Sequence, residues 1–315
     1  MSKERPILLI DAMNCFIRSY VCCPAMSTQG HHMGGVVGFL NSFRKIIDDM
    51  YPSQIYVIWE GGGNSRRRAL FSEYKSRRKP PRLNRFYEDD IPDSAENQQF
   101  QIKALIALLD YLPVCQLYVS DSEADDVVGY LCRHNFHGLE KIILSSDKDF
   151  YQLLDGSTRI YSFTSKKFVT EADVFEEYGI TAQNFCLAKV LNGDSSDSIP
   201  GIKGIGFKTA IKRFPVLGEP GDATISDLIA VCEEKKDGNV KAYKNVLENV
   251  DVLKRNWRLM YLDTLNLSAD QIKKLNYQLD QYSSNTNKFA FMKKTIDEGI
   301  GTYDAKGLFM SLSML

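Results

Sequence analysis

The sequence predicts an α/β fold: a parallel central sheet flanked by helices, followed by a helical C-terminal region. Two observations carry this. Short, largely apolar runs at Ile7–Ile10, Ile55–Trp59 and Lys141–Leu144 alternate with stretches of helical periodicity. Each run also ends on or just before an acidic residue: Asp11, Glu60 and Asp147. Ligands of such sheets bind beyond the carboxyl ends of the strands, so these acids converge where a site is expected.

Ile7–Ile10 is consistent with a buried parallel strand. Asp11 closes it, and Arg18 lies on the helix that follows. Gly35–Met50 reads as a helix, because Val36, Phe39, Leu40, Phe43 and Ile47 fall on one face. Ile55–Trp59 is a second buried strand ending at Glu60, and Gly61-Gly62-Gly63-Asn64-Ser65 breaks the chain. Arg66 to about Pro92 contains Pro80-Pro81, so it is not one uninterrupted helix. Asn97–Tyr111 is an amphipathic helix, Leu117–Val119 a short strand, and Ser122 opens a helix running to about Asn135. Lys141–Leu144 is the next strand. Beyond about Thr181 the pattern is helical, with Gly-rich turns at Gly201–Gly206.

A chain of 315 residues, 44% hydrophobic, can bury a substantial core in one large domain or two intimate ones. The net charge of −1 does not mark the whole molecule as a polyanion binder. The charge is unevenly placed, however: nine Lys or Arg fall between Arg66 and Arg85, with Glu73 the only acid. A basic segment beside an acidic centre suits nucleic acid while the total stays balanced. Seven cysteines without a C-x-x-C pair read as free thiols in a reducing cytoplasm. His31–His32 and His134/His137 lack cysteine partners at zinc spacing, so no zinc site is expected. The N-terminal apolar stretch is too short for a signal peptide, and no stretch reaches the length of a membrane span.

The acids fall in clusters: Asp11; Glu123, Asp125 and Asp126; Asp147 and Asp149; Asp194 and Asp197; with Glu60 as a further member. Carboxylates gathered in one site repel and need cations, and hard oxygen ligands suit Mg²⁺ or Mn²⁺. Two such ions point to phosphodiester hydrolysis. Each cluster also has a plainer reading. Asp11 can cap the next helix. Ser122 with Asp125 three residues later fits a capping box, and acids favour a helix's first turn. That leaves unexplained why three acids crowd ahead of Val127-Val128. Ser145-Ser146-Asp147-Lys148-Asp149 fits a turn, yet a solvated turn need not aim its acids at the ligand edge of a sheet.

Asp194-Ser-Ser-Asp197-Ser198 leads into Gly201-Ile-Lys203-Gly204-Ile-Gly206-Phe-Lys208-Thr209. Phe207 stands between Gly206 and Lys208 and no strand is expected before the glycines, which excludes a P-loop and with it a nucleotide-binding ATPase. A helix-hairpin-helix fits better. Gly201, Gly204 and Gly206 let the backbone approach a phosphate, its N–H groups bind the anion, and Lys203 and Lys208 add charge. The plainer reading is a Gly-rich turn between helices. Arg18 is placed to reach a phosphate or to pair with a carboxylate. In the basic segment Phe71, Tyr74, Phe86 and Tyr87 interleave the cations, as expected where charge tracks a backbone and rings stack on unpaired bases. A solvated charged helix is the alternative, weakened because the charge is nearly all of one sign over twenty residues.

Taken together, these motifs resemble the 5′-nuclease or flap endonuclease family, particularly its compact bacteriophage type, over roughly residues 7 to 213. The resemblance implies a PIN-like core over 1–180 with a helical arch at about 61–100, and a helical region over 181–315 with the hairpin at about 195–213. It implies that Asp11, Glu123, Asp125, Asp126, Asp147, Asp149, Asp194 and Asp197 hold two divalent metals. Lys75 and Arg78 match the arch's phosphate-steering bases, Tyr74 a stacking residue, and Arg18 an arginine after the first Asp. The family's hairpin binds duplex DNA, often with K⁺ on its carbonyls. The chain departs from the family in Glu60 for Asp, Asp11-Ala12 for Asp-Gly, and Ser198 for Asn.

The expected activity is two-metal hydrolysis of DNA at 5′ flaps or 5′ ends, with removal of RNA primers from RNA–DNA hybrids as a further substrate class. A monomer in the cytoplasm, of the host if phage-encoded, is expected, with replication proteins as partners and no membrane. Two alternatives stand beside it. A non-catalytic structure-specific DNA-binding protein would use arch and hairpin without needing the acids. A PIN-type ribonuclease shares the acidic α/β core but lacks the hairpin.

Overall fold

In the computed structural model, which describes residues 5–62, 64–77, 95–163 and 165–315, the first apolar run becomes β1 (Ile7–Asp11), buried throughout. It lies in a sheet with β2 (Gln54–Trp59), β3 (Cys115–Tyr118), β4 (Lys141–Leu144), β5 (Thr158–Ser162) and β6 (Lys167–Val169). A separate two-residue ladder pairs β7 (Gly193–Asp194) with β8 (Ile199–Pro200). The helices are α1 (Ala12–Cys22), α2 (Gly34–Met50), α3 (Ser65–Leu70), α4 (Ala95–Leu109), α5 (Ala124–Tyr130), α6 (Glu171–Tyr178), α7 (Phe185–Asn192), α8 (Phe207–Arg213), α9 (Ile225–Lys235), α10 (Lys241–Glu248), α11 (Val250–Met260), α12 (Ala269–Gln281), α13 (Lys288–Asp297) and α14 (Ala305–Leu312).

The sheet order is β3-β2-β1-β4-β5-β6. Strands β1 to β5 run parallel, and β6 returns antiparallel on β5. The order reverses between β1 and β4, so the crevice beyond those two strands is where such a sheet binds ligands. The β5–β6 pair was not expected. β5 is five residues, β6 three and mostly exposed, too little pattern to stand out.

Alternate residues of β1 face two cores. Leu8 and Ile10 pack with Phe16 of α1, Phe39, Leu40 and Phe43 of α2, and Leu105 and Leu108 of α4. Ile7 and Leu9 pack with Val127 and Val128 of α5 and Phe185 of α7. Burying each such leucine contributes about 2 kcal/mol. The first turn of α2 is capped from a distance: Gln101 Oε1 accepts from the N–H groups of Gly35 (2.8 Å) and Val36 (3.3 Å).

The helix expected from Ser122 to about Asn135 begins at Ala124 and gives way to a π-helical turn at Leu131–Asn135. The capping box does not form. Glu123 is the N-cap residue without a side-chain cap bond, and Ser122 Oγ donates to the Val119 carbonyl at 2.8 Å.

The helix-hairpin-helix forms from α7, the Gly201–Gly206 turn and α8, its first helix lying ahead of the bound expected at 195. The β7–β8 ladder puts a two-residue strand before Gly201, contrary to expectation. A Cβ on Gly201 would meet the Asn192 carbonyl oxygen at 2.2 Å, so the close approach there demands glycine. Gly204 has φ +82°. The C-terminal helices hold this unit: Asn256 Nδ2 donates to the Pro200 carbonyl (2.8 Å), and Asn245 Nδ2 to that of Lys203 (2.9 Å).

Helix α12 lies along the free edge of β3. There the Gln278 amide accepts from Tyr118 N–H and donates to Tyr118 C=O, both at 2.9 Å. Arg44 on α2 pairs with Asp304, just ahead of α14, at 2.7 Å.

Candidate metal and nucleic-acid site

Asp11 stands at the end of β1 and caps α1, the plainer of the two expectations for it. As N-cap of α1 its Oδ1 accepts from Asn14 N–H (3.1 Å), while Oδ2 accepts from Ser145 Oγ (3.1 Å) at the end of β4. Burial, with Glu60 and Asp147 adding repulsion, pushes its carboxyl up to about 7 despite those bonds. Asp147 caps the 3₁₀ turn Lys148–Leu153 by accepting from Asp149 N–H at 2.9 Å. Asp125 sits in the first turn of α5 and faces this group. Burial, then Asp147, Asp11 and Glu60, raise its carboxyl well above the usual range. One oxygen from each of Asp125, Asp147 and Asp149 lies within 4.8 Å of the others, a spacing that a shared cation suits.

Lys189 on α7 extends from this group toward the hairpin. Its ammonium donates to Asp149 Oδ1 and, at 2.8 Å, to Asp194 Oδ2. Burial raises the Asp149 carboxyl to about 6, Lys189 opposing and Asp147 reinforcing the shift. Burial would also raise Asp194, but Lys189 and Ser196 hold it down at about 2. For Lys189 burial opposes the charge, and Asp149 and Asp194 more than reverse it.

Glu123, Asp126 and Asp197 have protein cations as partners. Lys75 Nζ donates to Glu123 Oε1 at 2.6 Å and lies 4.0 Å from Asp197 Oδ2. Lys75 N–H also donates to the Asp197 carbonyl (2.9 Å), which ties the basic segment to the residues ahead of the hairpin. Burial opposes the Lys75 charge, and Glu123 and Asp197 raise its pKa above the ordinary value. Arg67 Nη1 lies 3.2 Å from Glu123 Oε2.

Two expectations need correction. Asp126 does not join the cluster. Arg67 takes both its oxygens, at 2.6 and 2.8 Å, and Asn266 Nδ2 donates to Oδ1 at 2.8 Å. Tyr74 does not offer its ring to a base. It is 3% exposed, and its hydroxyl faces Glu123 Oε2 (3.0 Å) and Asp197 Oδ2 (3.2 Å).

Arg18 lines a small cavity of about 120 Å³ with Cys15, Cys22, Cys23 and Phe163. Lys203, Gly204, Gly206 and Lys208 are exposed on the hairpin, with Ile202 and Ile205 buried beneath and Gly201 half-buried. Arg78 lies outside the described residues, as does the middle of the expected arch, residues 78–94; α3 and Phe71–Arg77 precede that stretch and α4 follows it.

Sequence reasoning missed Lys189 and Arg67. A signal existed for Lys189, the one cation in Phe185-Cys-Leu-Ala-Lys189-Val-Leu191. Arg67 is one of three consecutive arginines, and nothing distinguishes it there.

Comparisons with known proteins bear on this site. Residues 6–179 match the family model of the 5′-3′ exonuclease N-terminal resolvase-like domain. The chain is 30% identical over 219 residues to the 5′-3′ exonuclease of Buchnera aphidicola subsp. Schizaphis graminum, a match covering 68% of this chain and 72% of that protein. It is 32% identical over 219 residues to DNA polymerase I of Bacillus subtilis, where the match covers 67% of this chain but only 23% of the relative. Among solved structures, the T5 D15 protein co-crystallised with metal ions superposes with a TM-score of 0.69 at 20% identity, covering 88% of this chain and 99% of that one. Flap endonuclease-1 from Methanococcus jannaschii superposes with a TM-score of 0.54 at 14% identity, covering 99% of this chain and 93% of that one.

Proposed function

The chain belongs to the 5′-3′ exonuclease family and carries the PIN-like 5′-nuclease fold, and on that premise we propose that it hydrolyses DNA phosphodiesters at 5′ ends and 5′ flaps. The observation that carries this reading is the meeting of Asp125, Asp147 and Asp149 within 4.8 Å at the carboxyl end of a parallel sheet.

The donor set is of hard carboxylate oxygens, which fit Mg²⁺ or Mn²⁺; burial first, and the neighbouring carboxylates after it, raise Asp11 and Asp125, a cost that a bound cation would offset. Asp125, Asp147 and Asp149 would hold one ion, with Asp11 and Glu60 beside them. Asp149, Asp194 and Asp197 would hold a second, with Glu123 supporting through Lys75. When bound, the two ions supply positive charge to the attacking water and to the phosphate.

The protein's own residues position the substrate. The Lys75 ammonium, directed by Glu123, would meet a phosphate oxygen and stabilise charge as it develops; Arg78 shares that task. Arg18 adds a contact near the first acids. Gly201, Gly204 and Gly206 let the hairpin N–H groups reach a duplex phosphate, aided by Lys203 and Lys208, with K⁺ at the hairpin carbonyls. The basic segment receives the single 5′ strand. Junctions of single and double strand are therefore the preferred substrates, and primers in RNA–DNA hybrids a further one. The chain works as a monomer alongside replication proteins.

The test is product sizing with EDTA-treated protein on a 5′-labelled flap duplex, a nicked duplex and a primer hybrid, with Mg²⁺ or Mn²⁺ titrated back. Metal-dependent release of 5′ fragments is expected. Full activity without metal sinks the metal reading. Tight junction binding without cleavage at any metal concentration leaves the non-catalytic binder.

A further inference from the structure

Resting on the metal-centre reading above, we propose that Lys189 is a built-in counter-ion that competes with the second divalent cation for the oxygens of Asp149 and Asp194. Every other residue of α7 from Phe185 to Leu191 is buried and apolar. Lys189 is itself only 7% exposed, so its charge survives there only through its partners. Both partners are acids of the site: it donates to Asp149 Oδ1 and to Asp194 Oδ2.

The other oxygen of Asp194 is already engaged. Its Oδ1 accepts from Ser196 N–H (2.8 Å), Ser196 Oγ (2.5 Å) and Asp197 N–H (3.3 Å). Oδ2 is thus the atom left to bridge toward Asp149, and the ammonium holds it. A divalent ion bridging the two carboxylates needs the same oxygens at roughly 2.1 Å, where an ammonium accepts roughly 2.8 Å. The two cations exclude one another. The first ion, at Asp125, Asp147 and Asp149, meets Lys189 at Asp149 alone, whereas the second meets it at both carboxylates. Lys189 therefore separates the affinities of the two ions and sets the concentration at which the second one loads.

The experiment is a Mn²⁺ titration of the full chain without nucleic acid, counting free ion by electron paramagnetic resonance. Lys189→Met, which keeps the stem length and removes the charge, should tighten the second ion by about tenfold or more. The first should move less, and Lys189→Arg should behave as wild type. A second-ion affinity unchanged or weakened in Lys189→Met overturns the proposal. A wild-type chain that takes up no Mn²⁺ overturns the metal-centre reading, and the proposal with it. Should Lys189→Met fail to fold, the wild-type protein supplies the answer. Acetylation of the Lys189 amine, followed by mass spectrometry, should quicken roughly fivefold or more when Mg²⁺ saturates the site. An amine equally protected with and without Mg²⁺ overturns the proposal.

Discussion

Arg67 grips Asp126 with both terminal nitrogens, at 2.6 and 2.8 Å, and both side chains are buried. Arg67 Nε also donates to the Leu259 carbonyl at 2.9 Å, beyond α11's midpoint. The fork joins the base of the basic segment to the C-terminal helices and leaves Asp126 no oxygen for a metal. Its neighbour Asp125, one residue earlier, faces the crowded acids instead.

Asp125→Asn and Asp126→Asn should therefore act in opposite directions. Breaking the buried Arg67 pair costs about 3 kcal/mol or more, so Asp126→Asn should lower stability in urea titrations. Asp125→Asn removes a repelled charge and should raise stability in EDTA while abolishing cleavage. Equal loss of stability in both variants would place Asp125 in an ion pair as well.

Acidity gives a second expectation. The Asp11 carboxyl titrates near its ordinary 3.8 in the unfolded chain and near 7 in the folded one. Between those values the folded state binds the extra proton, so stability falls as pH rises from about 4 to 7, by on the order of 4 kcal/mol. Asp149 adds the same sense up to about 6. Asp194, held at about 2, acts oppositely, losing stability only as pH drops below 3.8. Melting curves in EDTA at pH 5 and 7.5 should show a drop that Asp11→Asn shrinks. An unchanged drop in that variant assigns the slope to other groups.

Lys75→Ala should slow single-turnover cleavage of a flap by about a hundredfold or more while duplex binding changes little. The basis is the Lys75 ammonium standing 2.6 Å from Glu123 inside the acidic site. An equal fall in binding and rate would make Lys75 an anchor.

Two hairpin glycines should differ sharply. Gly204→Ala meets open space at φ +82° and should cost only about 1 kcal/mol of backbone strain. Gly201→Ala drives a methyl against the Asn192 carbonyl and should cost several times as much, with weakened duplex binding. Comparable melting temperatures for the two variants would contradict this packing.

The acids at strand ends were legible because apolar runs fix where strands stop, and topology carries Asp11, Glu60 and Asp147 to one edge. What surrounds them was not. Asp125 and Asp126 look alike in a list of acids, but adjacent helical residues point about 100° apart, and one turns to Arg67. Tyr74 among cations reads equally as a stacking platform or a buried anchor, and only the placement of Glu123 and Asp197 decides. Helical periodicity likewise cannot tell Lys189 from a surface lysine until Asp149 and Asp194 are seen beside it.

The amide of Gln278 meets the peptide of Tyr118 much as a seventh strand would. A parallel sheet that ends on an uncovered strand is a template for stacking identical chains edge to edge, the first step toward a fibre. One glutamine, borrowed from a helix far along the chain, closes that template at Tyr118 and gives the sheet an end.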